Sequence, residues 1–224
     1  MKKISVKDLV AFRKKSDRGK KSFVENIKSS KIEVPAKGGG DYWISSLSAI
    51  SKSYKEDDLD ITNGKIKELQ KKIKGTKHRI TKDMYQRNIS ILERYKNLDP
   101  AKIRVNGKLS FLKKSSGNPL LTIKGLQIET KPSLIYTFGS KGENIGAIWF
   151  TAKVEGYKIE EISIFCDVLY RFLKHNYSKK YQIASRYCIA VDMISGNMID
   201  FSDIESGSLA KILPNTLDEI SKLM

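Results

Sequence analysis

Apolar residues recur along this chain with two periods, and the change between them falls near residue 100. Before it, the spacing is three and four. Val6, Leu9, Val10 and Phe12 follow Ser5 and Asp8, a pair spaced to cap a helix. Phe23, Val24 and Ile27 mark a short second helix over about 20–29. Trp43, Leu47, Ile50 and Tyr54 mark a third, with Asp41 as its cap and a loop over Pro35–Gly40 before it. Asn63 is placed to cap a helix containing Ile66, Leu69 and Ile73. Thr81 is placed to cap a longer one with Met84, Asn88, Ile91, Leu92 and Tyr95 along a single stripe. Glu56–Asp60 reads as an acidic turn without the glycine and distal glutamate of a calcium loop.

Asp99-Pro100 ends the helical region, and the period becomes two. Ile103 and Val105 on one side of Asn106-Gly107, with Leu109 and Phe111 on the other, predict a hairpin. Leu121 and Ile123 alternate, Gly125 breaks the phase, and Leu126, Ile128 and Thr130 resume it, which predicts a bulge at Gly125. Ser133 to Phe138 reads as another strand. The densest apolar block follows. Ile145 to Val154 has the near-continuous run of a strand covered on both faces. Glu160 to His175 is an amphipathic helix burying Ile162, Phe165, Cys166, Leu169, Phe172 and Leu173, and Arg186 to Phe201 is a strand hairpin turning at Ser195-Gly196-Asn197. A last short helix starts at Asn215, after Pro214. The sum is an α+β fold. A basic helical region, 1–100, precedes a mainly antiparallel, strand-rich region, 101–224, with one or two packed helices, and one continuous domain can hold both.

Charge changes the picture. The chain of 224 residues carries a net charge of +17. Residues 1–105 hold 27 Lys/Arg against 13 Asp/Glu, whereas residues 106–224 hold 15 against 12. A coat of charge that served only solubility would not need this asymmetry, so the N-terminal half is the expected contact surface for a polyanion. Two segments are densest. Arg13, Lys14, Lys15, Arg18, Lys20 and Lys21 place six cations within nine positions, and Lys71, Lys72, Lys74, Lys77 and Arg79 form the second cluster. Each reads either as a solvated helix end, where cations favour the dipole, or as a patch that follows a phosphate backbone. Tyr42 and Trp43 read as core or as a stacking platform for a base.

Other chemistries find little support. The only cysteines, Cys166 and Cys188, fall in apolar runs and read as buried hydrophobes of a reducing compartment. The N-terminus lacks the apolar stretch of a signal peptide, and no run approaches the length of a transmembrane helix, which predicts a cytoplasmic protein. His78 and His175 are isolated, no cysteine pair has ligand spacing, and no P-loop, kinase signature or nucleophile elbow is present. No metal, no cofactor and no enzymatic activity are therefore expected.

One element order does resemble a catalytic family. Glu129 lies on a predicted strand, and Thr151-Ala152-Lys153 ends another strand before a helix. This is the succession of acid, acid-x-Lys and helix of the restriction-endonuclease-like family, which implies Glu129 and Lys153 as nuclease residues. Thr151 stands where that family has a metal-binding carboxylate, so the site would be degenerate. Gly146–Lys153, the Glu160–His175 helix and Val191–Gly196 also resemble accessory proteins that accompany short prokaryotic Argonautes in defence loci. That resemblance implies a subunit that assists nucleic-acid binding beside a larger protein without cutting, and it carries over no site residue. The expected function is thus a non-catalytic nucleic-acid-binding accessory subunit with backbone contacts from Lys14, Lys15, Arg18, Lys20, Lys21, Lys71, Lys72, Lys74, Lys77 and Arg79. The alternatives are a divergent nuclease, or a basic module that meets an acidic protein or membrane surface.

Overall fold

A computed structural model describes residues 2–29, 42–113 and 117–224. The N-terminal part contains β1 (Ile4–Ser5), α1 (Val6–Arg13), α2 (Asp17–Lys28), α3 (Ile44–Glu56), α4 (Asp60–Gly75), α5 (Arg79–Lys96) and α6 (Pro100–Ile103). Then come β2 (Ser110–Phe111), β3 (Leu120–Ile123), β4 (Leu126–Glu129), β5 (Leu134–Phe138) and β6 (Asn144–Thr151). The chain closes with α7 (Ile159–Tyr177), β7 (Gln182–Asp192), β8 (Met198–Asp200), α8 (Phe201–Glu205) and α9 (Ile212–Lys222). The class is α+β, helical first and strand-rich later.

Five strands form the main sheet in the order β2-β5-β6-β7-β8, with β6 and β7 parallel and the other neighbours antiparallel. The parallel pair is joined by α7, because two parallel strands need a crossover longer than a turn. Alternate residues of β6 serve two cores. Ile145 and Ala147 point to one face, and Ile148 and Phe150 point to the other. This explains the near-continuous apolar run. On the first face lie α7, α1, α2, α8, α9 and a small second sheet ordered β1-β4-β3. On the second face, α3, α4 and α5 pack Ile50, Tyr54, Ile66, Leu69, Ile91, Leu92 and Tyr95 against Tyr136, Ile148, Phe150, Ile189 and Val191. Residues 4–27 join the first core together with residues of the C-terminal half, through Ile4, Leu9, Phe12 and Val24.

Several local expectations are corrected. The Asn106-Gly107 hairpin does not form. Pro100 sits at the start of α6, and the Asp99 carboxylate accepts the Ala101 N–H at 3.0 Å. The Ile103 carbonyl then accepts the Tyr54 hydroxyl at 2.8 Å, with Ile103 buried. These contacts hold residues 100–104 against α3, and only Ser110–Phe111 is left to pair, with β5. At Gly125 there is a turn, not a bulge. Lys124 and Gly125 have φ of 50° and 77°, and Ile123 stands opposite Leu126 in a two-residue hairpin. That conformation matches the twist of the flanking strands.

Helix starts also shift. Asn63 lies inside α4 and donates to Asp60 at 3.2 Å, and Thr81 lies inside α5. Ser16, not a later residue, caps α2. Pro214 sits within the first turn of α9, where no N–H is needed. The Ser5–Asp8 capping box of α1 is present as expected. The Pro35–Gly40 loop and the Asp41 cap lie outside the described residues.

The parallel pair β6–β7 carries an irregularity between Ile145 and Ala147, at Gly146. A Cβ at Gly146 would lie 2.7 Å from the Tyr187 carbonyl oxygen and 3.0 Å from the Tyr136 ring. Gly146→Ala is therefore expected to destabilise the fold by about 1–3 kcal/mol, the usual cost of overpacking. Urea denaturation of the two proteins measures this, and an unchanged midpoint would contradict the close approach.

Candidate nucleic-acid interface

Helices α4 and α5 form an antiparallel hairpin whose two halves differ. Near the sheet it is anchored by Ile66, Leu69, Ile91, Leu92 and Tyr95. Towards the tip, from Lys74 to Arg79, no residue is fully buried, and Ile80 is 85% exposed. Lys71, Lys72, Lys74, Lys77, His78, Arg79 and Lys82 are all exposed there. Lys72 pairs with Glu68 at 2.6 Å, whereas Lys71, Lys74, Lys77 and Arg79 make no ion pair among the described residues. The first turn of α5 has no acidic residue, and no side chain caps it. Cations thus gather at the positive end of a helix dipole, where anions are favoured and cations are not. Local helix energetics do not explain the charge on this side of the tip.

The other basic cluster is divided. Lys14 is drawn against α7, where its Nζ lies 2.5 Å from Glu161 Oε1. Lys20 pairs with Glu219 of α9 at 2.6 Å and lies over the Phe12 ring. Arg13 donates to Thr216 at 3.1 Å. These three fasten the N-terminal helices to the C-terminal core. Lys15, Arg18 and Lys21 remain exposed with no ion pair among the described residues. The ten expected contact residues therefore do not form one patch of equivalent charges. Among the described residues seven form no ion pair, at two separate corners, and three are engaged by carboxylates.

Two further arginines are likewise occupied. Arg87 donates to the Tyr42 hydroxyl at 3.0 Å, and Arg94 packs over the turn at Gly196. Tyr42 and Trp43 are half-buried, with ring centroids 4.4 Å apart in an edge-on arrangement, and Asn88 holds the Tyr42 carbonyl at 3.0 Å.

The candidate nuclease residues lie on different sheets. Glu129 ends β4 in the small sheet and is held by Lys3 and by Lys131, the latter at 2.9 Å. Lys153 follows β6 of the main sheet, 3.9 Å from Glu155 and over the Tyr157 ring. Among the described residues, no group of three or more His, Cys, Asp or Glu side chains is disposed to hold a metal.

A carboxylate that the apolar and basic patterns do not reveal, Glu161, does stand near Lys153. Glu161 lies in the first turn of α7 and is 7% exposed. Its Oε2 accepts the Lys158 N–H at 2.9 Å, while Oε1 makes a close ion contact with Lys14 instead of a well-aligned hydrogen bond. Burial pushes its carboxyl up, but Lys14, the Lys158 N–H and the charge of Lys153 outweigh this and hold it below the usual range. Lys14 is raised in turn, mainly by Glu161. Nearby, burial pushes the Tyr157 hydroxyl up to about 12. No sequence signal announces this carboxylate, because Lys158 at the N-cap has no acceptor and does not complete a capping box.

No family model, no curated protein and no solved structure matches the chain.

A carboxyl depressed on folding contributes stability that is present above its unfolded pKa, about 4.3 for Glu, and is lost as pH falls through the lower folded value. Glu161→Gln should therefore cost stability at pH 7 and flatten the loss between pH 5 and pH 3. Urea midpoints across that range test it. Parallel curves for the two proteins would show that Lys14 and Glu161 do not stabilise each other.

Proposed function

We propose that the chain is a non-catalytic nucleic-acid-binding subunit that contacts the phosphate backbone with the tip of the α4–α5 hairpin. The observation that carries this reading is the tip itself. Its exposed cations Lys71, Lys74, Lys77 and Arg79, which form no ion pair among the described residues, extend past the apolar anchor and surround an uncapped helix start. A polyanion satisfies those N–H groups and cations together. Lys15, Arg18 and Lys21 at the α1–α2 corner supply a second, weaker contact. Backbone contacts of this kind carry little sequence preference. The resemblance to Argonaute-associated accessory proteins supports placement beside a larger protein in a cytoplasmic, defence-type nucleoprotein complex.

Fluorescence anisotropy with single- and double-stranded DNA and RNA, across a salt series with magnesium present, tests the reading. Binding is expected to fall steeply with salt and leave the strands intact. The triple variant Lys71→Gln, Lys74→Gln, Lys77→Gln should flatten the log–log salt slope by about one for each phosphate no longer neutralised, with no change in thermal stability. The same changes at Lys15, Arg18 and Lys21 should have a smaller effect. An unaltered slope in the hairpin variant removes the arm as the interface. Cut strands would instead favour the nuclease reading, and retention on anionic vesicles without nucleic-acid binding would favour a membrane-surface module.

A further inference from the structure

Ile80, in the first turn of α5 at the tip of the basic hairpin, is 85% exposed and belongs to neither core. The other large apolar side chains left open among the described residues, Ile44, Leu59, Val154 and Met224, are 43–58% exposed. A single exposed apolar residue needs no partner in general, but this one has a particular setting. Lys77, Arg79 and Lys82, all exposed, lie within three positions of it, and Asp83 is the one acid within the same distance. The connection at the tip is short. Gly75 ends α4, Arg79 begins α5, and the Thr76 hydroxyl accepts the His78 N–H at 3.3 Å. Isoleucine adds little to the helix here, because its β-branch restricts χ1 and its apolar surface stays in water. A partner that covers the side chain removes the second shortcoming.

The surrounding cations select a polyanion, and the aliphatic side chain narrows it further. Single strands are gripped by aromatic faces, and from Lys71 to Lys82 there is no Phe, Tyr or Trp. An aliphatic side chain acts instead between the base pairs of DNA. Inserted from the minor groove, it unstacks one step and kinks the duplex, while basic residues beside it meet the backbone. Duplex RNA is recognised through its shape, its 2′-hydroxyls and its phosphates, with no use for such a wedge. One isoleucine is also too small an apolar surface to hold a bilayer, where binding scales with the apolar area buried.

We infer, on the footing of the phosphate-binding role proposed for the tip, that its partner is double-stranded DNA. Ile80 enters a base step as a wedge, and Lys77, Arg79 and Lys82 contact the flanking phosphates.

Short DNA duplexes labelled at both ends are titrated with the full chain across a salt series. Anisotropy reports binding, and energy transfer between the ends reports bending. The wild-type protein is expected to bind and to bring the ends closer. Ile80→Gln keeps every charge, so it should leave the log–log salt slope and the melting temperature unchanged. It should abolish the bend and weaken duplex binding by roughly tenfold, the scale of burying one isoleucine side chain. Ile80→Leu should restore both. A duplex that stays straight in the wild-type complex would overturn the wedge and leave the phosphate-binding reading standing. So would bending and affinity that are the same in wild type and Ile80→Gln, or tighter binding to single strands or to an RNA duplex. The absence of salt-dependent binding to any of these polymers would overturn both.

Discussion

Nine consecutive residues of α7, Glu161 to Leu169, are buried, and this burial organises the fold. A helix covered on all sides cannot be served by a sheet alone, since a sheet shields only one face. The remaining faces must be closed by other elements, and here these are α1, α8 and α9 with the small sheet. The N-terminal segment thus returns to the C-terminal core. Covering the helix also encloses two carboxylates. Asp167 is met by Arg171 at 2.6 Å, one turn along the same helix. Glu161 has no such neighbour on α7 and takes Lys14 from the end of α1. An unpaired buried carboxylate is far more costly than an exposed one, and Lys14, at the C-cap of α1, supplies the charge that meets it.

That constraint divides the positive charge into two kinds. Lys14, Lys20 and Arg13 face the C-terminal helices and work as internal fasteners. Lys15, Arg18 and Lys21 face outward from the same corner. In the α4–α5 hairpin the division runs along the arm instead of around it. The base is held by aromatic contacts, including Tyr95 edge-on to Phe150 at 5.9 Å, and by the bonds from Arg87 and Asn88 to Tyr42. The tip has charge without a core. Segments with few buried apolar neighbours open at low free-energy cost, so the most cationic part of the molecule is also among the least constrained by packing.

The architecture was legible wherever periodicity was strong. The β6 run, α7, α3 and the Asn88–Tyr95 stripe all stand within a few residues of where the apolar spacing puts them. Tertiary contacts decided the rest. Asn106-Gly107 has the composition of a hairpin turn, yet Tyr54, some fifty residues earlier, captures Ile103 and removes the strand that would have paired. Lys124 adopts a positive φ that its residue type gives no reason to expect, which is why a turn read as a bulge. At the candidate sites, sequence identified the cations but not their partners. Nothing local to Lys14 or Lys20 announces Glu161 or Glu219, which lie more than a hundred residues away. The full burial of α7 was similarly hidden, because Glu161, Ser163 and Asp167 make the helix read as amphipathic when only its apolar stripe is counted.

The pairing pattern sorts the N-terminal cations by what they touch. At the α1–α2 corner Glu161 and Glu219 hold helices together, whereas in the hairpin Glu68 pairs with Lys65 and Lys72, and Lys71, Lys74, Lys77 and Arg79 form no ion pair among the described residues. Lys77 and Arg79 stand at the uncapped start of α5, where the dipole disfavours cations, while Lys72 and Lys74 stand in the last turn of α4, where it favours them. An anion at the start of α5 would offset that cost without any change in the core that supports the hairpin.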